Sequence, residues 1–382
     1  MVLALGVLVM GSMLSSCRKK ETARKPAPGT EGGKREVRNG VSPTTATGAV
    51  GSSEEAAPSG TKKGRRIVLK RLRRVKFKPH DPYEGAFCSG NKRIVLSGRH
   101  FVLAEYPSLE ILFVAPGAFG RFDLSPDGRY AVSEWDREHD QSIPCIIDMR
   151  TGGPLDNLRL SYSKRGDYRG GKFSPDGKYF YMWGEHGWVE KWDFESKRQV
   201  WAKRDNSLIG RGATLNGLEI DATGRYLLIH PRANWFRVGS VAILDAATGE
   251  KVHRFPGLAQ MGKFAPGNEF VLLANADRVR KYAVGTWEPL GDPGIIDPPA
   301  SNENRPWHLG IFPSGRWCYL VQWKCLHFWN TDDMSVAGKF RLLRDEKFIN
   351  NIVIHPDEES AIVMVYLSNN DRALVMCKVE YE

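Results

Sequence analysis

The sequence lacks the short signatures of catalysis and metal binding. It has no HExxH, no GxSxG, no phosphate-binding glycine loop and no Cys/His pattern at zinc spacing. Its nine histidines are scattered, so a metal site would have to gather donors from distant segments, and neither a metal nor a cofactor is expected. Six cysteines (Cys17, Cys88, Cys145, Cys318, Cys325 and Cys377) include no CxxC pair. Cys318 and Cys325 flank an expected hairpin turn, where a disulfide is one reading; the other is that cysteine in strands acts as a small buried hydrophobe. No apolar run is long enough to span a bilayer, because the N-terminal one stops at Cys17. A basic body is missing too. The formal charge of +11 comes from residues 18–78, with 18 basic and 5 acidic side chains, whereas the remainder holds 37 basic and 39 acidic ones. A nearly neutral body argues against nucleic acid as the partner.

What is present is a repeating turn. Residues 170–201 read as four short aromatic and β-branched runs, broken by Ser174-Pro175-Asp176-Gly177, Gly184-Glu185-His186-Gly187 and Glu195-Ser196-Lys197-Arg198. Pro presets φ near −65° and Gly permits positive φ, so these clusters are turns and the runs are strands of one antiparallel sheet. The first hairpin turn recurs in FCSGNKRIVL at 87, LSPDGRYAV at 124, FSPDGKYFY at 173, IDATGRYLL at 220, FAPGNEFVL at 264, FPSGRWCYL at 312 and IHPDEESAIV at 354. Seven turns at intervals of about 40 to 50 residues have the period of propeller blades. A blade cannot bury both faces alone, so neighbours must stack and the stack must close.

On these turns, on Trp192-Asp193 and on Ala247-Thr248-Gly249-Glu250-Lys251, the chain resembles the WD-repeat and quinoprotein-like β-propellers, of a bacterial lipoprotein type. The resemblance spans roughly residues 65–382. It departs from the strict WD repeat, since no blade carries Gly-His and one blade carries Trp-Asp. In the quinoprotein blade motif a Trp closes the repeat; here His253 stands at that position, while the preceding repeat keeps Trp201. The resemblance implies architecture rather than activity. The expectation is an all-β, seven-bladed β-propeller of four-stranded antiparallel blades over 64–382.

Residues 1–17, MVLALGVLVMGSMLSSC, form an export signal, and Leu14-Ser15-Ser16-Cys17 resembles the lipobox in which Cys17 is diacylated. The n-region departs from that pattern in carrying no Lys or Arg. Residues 18–63 are polar and rich in Pro, Gly, Ser and Thr, a composition that cannot fold by burial. As a flexible coil they would span roughly 35–40 Å. The location expected from this is the cell envelope, lipid-anchored, on the periplasmic side of the outer membrane or at the cell surface. Lys62–Lys78 has 10 basic residues in 17, interleaved with Ile67, Leu69, Leu72, Val75 and Phe77. It reads as an anionic-membrane patch or nucleic-acid arm, or as an outer strand with charges blunting its edge. The last repeat lacks a fourth strand, which favours the outer strand closing the ring.

Turns after the first and third strands of each repeat are tight. Connections between the second and third strands, and between repeats, are long, as in 134–144, 161–170, 203–217, 230–240 and 291–307. In an antiparallel blade these two classes emerge at the same end. Loops on a rigid scaffold carry binding, and Trp, Tyr and Arg dominate hot spots. The candidate binding residues are therefore Trp135, Arg137, His139, Tyr168, Arg211, Trp235, Arg237, Arg305, Trp307 and His308. The function expected is a monomeric, non-catalytic platform for a protein or peptide, tethered to a membrane. Two alternatives stay open: an enzyme (hydrolase, lactonase or quinoprotein-type oxidoreductase) with its site in the central funnel, and a carbohydrate or cell-wall binding module.

Overall fold

The computed structural model describes residues 66–77, 82 and 84–382, apart from 89, 116–117, 137–141, 156–167, 185–186, 205–213, 233–239, 256–260, 276, 298–305 and 370. The export signal, Cys17 and the linker lie outside the described residues. Every described regular element of more than one turn is a β-strand. In chain order, β1 (Ile67–Lys76) precedes a meander of β2 (Glu84–Phe87), β3 (Arg93–Ser97), β4 (Phe101–Glu105) and β5 (Ile111–Ala115). Next come β6 (Ala118–Leu124), β7 (Tyr130–Asp136) and β8 (Ser142–Asp148), then β9 (Tyr168–Phe173), β10 (Tyr179–Gly184), β11 (Trp188–Asp193) and β12 (Gln199–Arg204). Three more meanders follow. They are β13 (Thr214–Ile220), β14 (Tyr226–Arg232), β15 (Ala242–Asp245) and β16 (Lys251–Arg254); β17 (Met261–Phe264), β18 (Phe270–Ala274), β19 (Arg278–Ala283) and β20 (Pro289–Ile295); and β21 (Pro306–Ile311), β22 (Trp317–Gln322), β23 (Cys325–Asn330) and β24 (Val336–Arg341). β25 (Glu346–Ile354), β26 (Ser360–Leu367) and β27 (Arg372–Tyr381) end the chain.

The expectation of seven four-stranded blades is corrected. The described strands form five four-stranded antiparallel blades and one seven-stranded sheet, ordered β12-β11-β10-β9-β6-β7-β8. A parallel bridge between Arg121 and Gly170 fuses β6 to β9, so two repeats share one sheet. The recurring turn marks a hairpin in each repeat, and hairpins outnumber separate sheets. The innermost strands still touch in sequence, β2, β6, β9, β13, β17, β21 and β25, and β25 touches β2, which closes a ring around a central channel.

The hairpin turns explain themselves. Ser125 Oγ donates to Asp127 Oδ1 (2.6 Å) and accepts from Tyr130 N–H (2.9 Å); Ser174, Asp176 and Tyr179 repeat this at 2.6 and 2.9 Å. The left-handed position is Gly128 (φ 68°) and Gly177 (φ 70°), where a side chain would strain the backbone.

The basic run at 66–77 is a strand. β1 pairs antiparallel with β27, and Arg66 and Glu382 exchange N–H···O bonds of 2.7 and 2.8 Å. Its charges are largely absorbed: Arg71 binds Glu346 through two bonds of 2.6 and 2.8 Å, Arg74 meets Asp345 at 2.5 Å, and Lys76 lies 3.7 Å from Asp371. Four of the five apolar residues expected to bury there do so at least in part. Leu72 does not, being 60% exposed, because a bulge between Arg71 and Arg73 turns it out of the ladder.

Sheets meet through apolar clusters, each shared by neighbours in the ring. One unites Ile67, Leu69, Val375 and Val379 of the closing sheet with Trp317, Leu326 and Phe328 of the sheet before it. Close approach at the channel needs glycine. A Cβ on Gly85, Gly171 or Gly262 would lie 2.6 Å from Met364 Cε, 2.6 Å from Val132 Cγ2 and 2.7 Å from Leu228 Cδ2, respectively. Each of these glycines sits on an innermost strand, two residues before Phe87, Phe173 or Phe264. Cys318 and Cys325 are buried free thiols, as are Cys88, Cys145 and Cys377.

Candidate functional site

Period-two alternation on the innermost strands sends every second side chain into the channel. Asp123, Lys172, Glu219 and Lys263 each immediately precede the hydrophobic residue that ends or nearly ends its strand (Leu124, Phe173, Ile220 and Phe264). Two residues further back lie Arg121 on β6 and, on β21, the corresponding His308 before Ile311; Glu84 is three before Phe87 on β2. The ring thus collects charges from sites far apart in sequence.

The charges compensate one another. Lys172 Nζ lies 3.1 Å from Glu219 Oε2 and 3.7 Å from Asp123 Oδ1, and Lys263 Nζ reaches the same Glu219 oxygen at 2.8 Å. Backbone amides supply the rest: Phe173 N–H donates to Asp123 (3.0 Å) and Phe122 N–H to Glu84 (3.3 Å). Burial pushes Glu219 up, but Lys172 and Lys263 overcome it and hold its carboxyl far below the usual range. Burial likewise lowers Lys172, and Asp123 and Glu219 more than restore its charge. Glu84 and Asp123 remain raised, because burial outweighs Arg121 at one and Lys172 at the other.

His230 and His308 are held down to about 3, first by burial and then by Arg121 and Lys263 respectively, so both are neutral near pH 7. His308 stacks on Tyr319 at 5.9 Å. The cavity at this level, lined by Glu84, Arg121, Lys172, Glu219, His230 and His308 among others, has a volume of about 70 Å³. Pockets for metabolites run to roughly 300–1,000 Å³. Among the described residues no group of three or more His, Cys, Asp or Glu is placed to hold a metal ion.

A second feature lies where β21 begins and β22 ends, the end of the sheets that bears the long connections. Trp307 stacks on Trp323 (centroids 5.9 Å, planes 12° apart), Trp323 on Phe348 (5.9 Å, 26°) and Phe348 on Tyr366 (4.6 Å, 8°). Register places these rings together, since Pro306 pairs with Gln322 and Phe348 with Tyr366. Trp307 is 41% exposed at the open end of the stack.

Of the residues expected at the binding face, Trp307 is therefore on the surface. His308, the next residue, lines the channel cavity, to which Trp307 also contributes. Tyr168 is buried, and its hydroxyl donates to Glu190 (3.0 Å), a carboxylate that also accepts from Trp192 Nε1 (3.0 Å) and Gln199 Nε2 (2.6 Å). Trp135 falls on β7, with its side chain outside the described residues, as are Arg137, His139, Arg211, Trp235, Arg237 and Arg305 entirely. Missed in the sequence were the channel charges and the partners of Trp307. The charges had a signal, a charged residue at fixed offset before successive turns. The stack had none, because its rings come from three strands and one turn spread over about 60 residues.

No family model matches the chain, and no curated protein does. Among solved structures it is similar to the β-propeller domain of Cps50 (Swd1) from Myceliophteria thermophila, with a TM-score of 0.61 and 14% identity over 82% of this chain and 99% of that one. The fold is a β-propeller. At that identity the likeness concerns the fold alone, and the channel and the aromatic stack stand on the geometry of this chain.

Proposed function

We propose that this β-propeller is a non-catalytic platform that binds a protein or peptide on its long-loop face, as a monomer tethered to a membrane through Cys17 and the residue 18–63 linker. The observation that carries the reading is the open end of the aromatic stack at Trp307, a large flat apolar surface in water on the face where the long connections emerge. Exposed aromatics backed by a rigid scaffold are the usual anchors of binding hot spots. The channel supports the same reading from the other side. Its lysines and carboxylates neutralise each other, and its volume of about 70 Å³ is below the scale of a substrate pocket.

Site-specific photocrosslinking in cells tests this. A benzophenone side chain at position 307 should trap a partner protein, and the same group at position 178, in a tight turn at the other end of the sheets, should not. Crosslinks from 178 alone would place the binding face on the wrong side.

A further inference from the structure

We infer that the partner's binding segment is an acidic peptide, with one aromatic or aliphatic anchor over the free ring of Trp307 and carboxylates meeting Lys324, Arg344 and Lys347. This rests on the binding-platform reading and adds the chemistry of what is bound. Three observations lead to it.

The first is the state of the rings. Within the stack, Trp323 and Phe348 each have a ring on both sides. The Tyr366 end is occupied by cations, with Arg372 5.6 Å and Lys347 6.0 Å from its centroid. Trp307 closes the other end and is the most exposed member. Among the described residues the stack therefore offers one flat apolar surface. Single strands of nucleic acid need a series of free ring faces for successive bases; one anchor side chain of a peptide needs one.

The second is the charge around the stack. Among the described residues, the carboxylates beside the stack are already taken: Glu346 by Arg71, Asp345 by Arg74 and Asp371 by Lys76. Lys324, Arg344 and Lys347 are exposed, and among the described residues no carboxylate pairs with them. The charge left over among the described residues is positive and calls for an acidic partner.

The third is that the cations and rings form one framework. Ile349 N–H donates to Trp323 O (2.7 Å) and Leu342 N–H to Lys324 O (3.3 Å). Leu343 N–H donates to the buried Glu346 (2.8 Å), and Leu343 itself is 52% exposed. The backbone that carries Lys324, Leu343, Arg344 and Lys347 is thereby tied to the Trp323–Phe348 part of the stack. An apolar surface flanked by cations on a tied-down backbone is complementary to an extended acidic segment with a hydrophobic anchor.

The test is selection of a phage-displayed random twelve-residue peptide library on the full-length chain. The proposal expects enriched peptides rich in Asp and Glu with one Trp, Phe or Leu. Trp307→Ala should weaken a selected peptide at least about 30-fold, Trp307→Phe should restore most of the loss, and Lys324→Glu with Lys347→Glu should abolish its salt dependence. No enrichment, neutral or basic peptides, or binding indifferent to Trp307→Ala would overturn it. So would a labelled twenty-nucleotide dT strand that binds more tightly than any peptide. Peptides that ignore Trp307→Ala but are lost in Trp235→Ala with Arg237→Ala would overturn this site and leave the platform standing. Loss only in Lys178→Ala with Arg225→Ala would overturn both.

Discussion

Replacing Glu219 by Gln keeps the shape of the channel and removes the charge that holds two lysines. In the native protein Glu219 Oε2 lies 3.1 Å from Lys172 Nζ and 2.8 Å from Lys263 Nζ. Without it, Lys172 retains Asp123 at 3.7 Å, while Lys263 loses its carboxylate partner. Removing one member of a fully buried pair costs about 3–5 kcal/mol. Here the side chains of Glu219 and Lys263 keep 18% and 30% of their surface, so water screens the orphaned charge and the cost is about 1–3 kcal/mol. The unit Thr61–Glu382 has 322 residues. At roughly 2.1 cal/mol/K per residue, each kcal/mol shifts its Tm by about 1.5 °C, so Glu219→Gln should lower Tm by about 2–4 °C. Adding Lys263→Gln should recover part of the loss, since the second change removes the orphaned charge. The pH dependence has a definite sign. The folded carboxyl of Glu219 is held far below its ordinary 4.5, so its contribution is fully present above pH 4.5 and fades as pH falls below that. Thermal unfolding of native and variant chains should differ by a constant amount from pH 5 to 8 and converge in acid. A Tm loss under 1 °C, or a double variant as unstable as the sum of the singles, would refute the compensation argument.

Gly171→Ala puts a methyl group 2.6 Å from Val132 Cγ2 and 2.7 Å from Met182 Sδ, and should destabilise by about 1–3 kcal/mol in urea unfolding, with no change for Gly90→Ala beyond its backbone strain. Deleting residues 64–78 strips buried Ile67, Leu69 and Phe77 from the closing sheet and leaves the fully buried Glu346 carboxylate without Arg71; Tm should drop and light scattering should report aggregation through the bared β27 edge, and a monomer of native stability would show that β1 does not close the ring. Cys17→Ala should abolish metabolic lipid labelling and release the protein from membranes, and unchanged membrane association would remove the tether from the proposal.

Local features were legible because their causes are local. Ser-Pro-Asp-Gly specifies its own hairpin through the Ser125 and Ser174 hydroxyls and a glycine at positive φ, and each instance was visible in the chain. The role of the 66–77 run was legible from a deficit, the strand missing after β27. The number of sheets was not. Whether two repeats stay separate depends on one bridge, Arg121 to Gly170, between segments 49 residues apart. Leu72 was misplaced for a related reason, since a bulge inverts the alternation that the sequence pattern assumes. The channel residues were overlooked because a charge in an alternating strand reads as facing solvent; closure of the ring turns that face inward and makes Lys172, Glu219 and Lys263 partners. Trp307 was singled out as a candidate from loop placement, whereas Trp323, Phe348 and Tyr366 become its stacking partners only through strand register.

The binding face can be read directly by hydrogen exchange on the full-length chain, alone and saturated with a peptide selected on it. The account predicts slowed exchange at residues 306–308, 322–324, 342–348 and 366–372, where the aromatic stack and its cations sit. Protection confined to the turns at 125–128, 174–177 and 221–224, at the opposite end of the sheets, would contradict it.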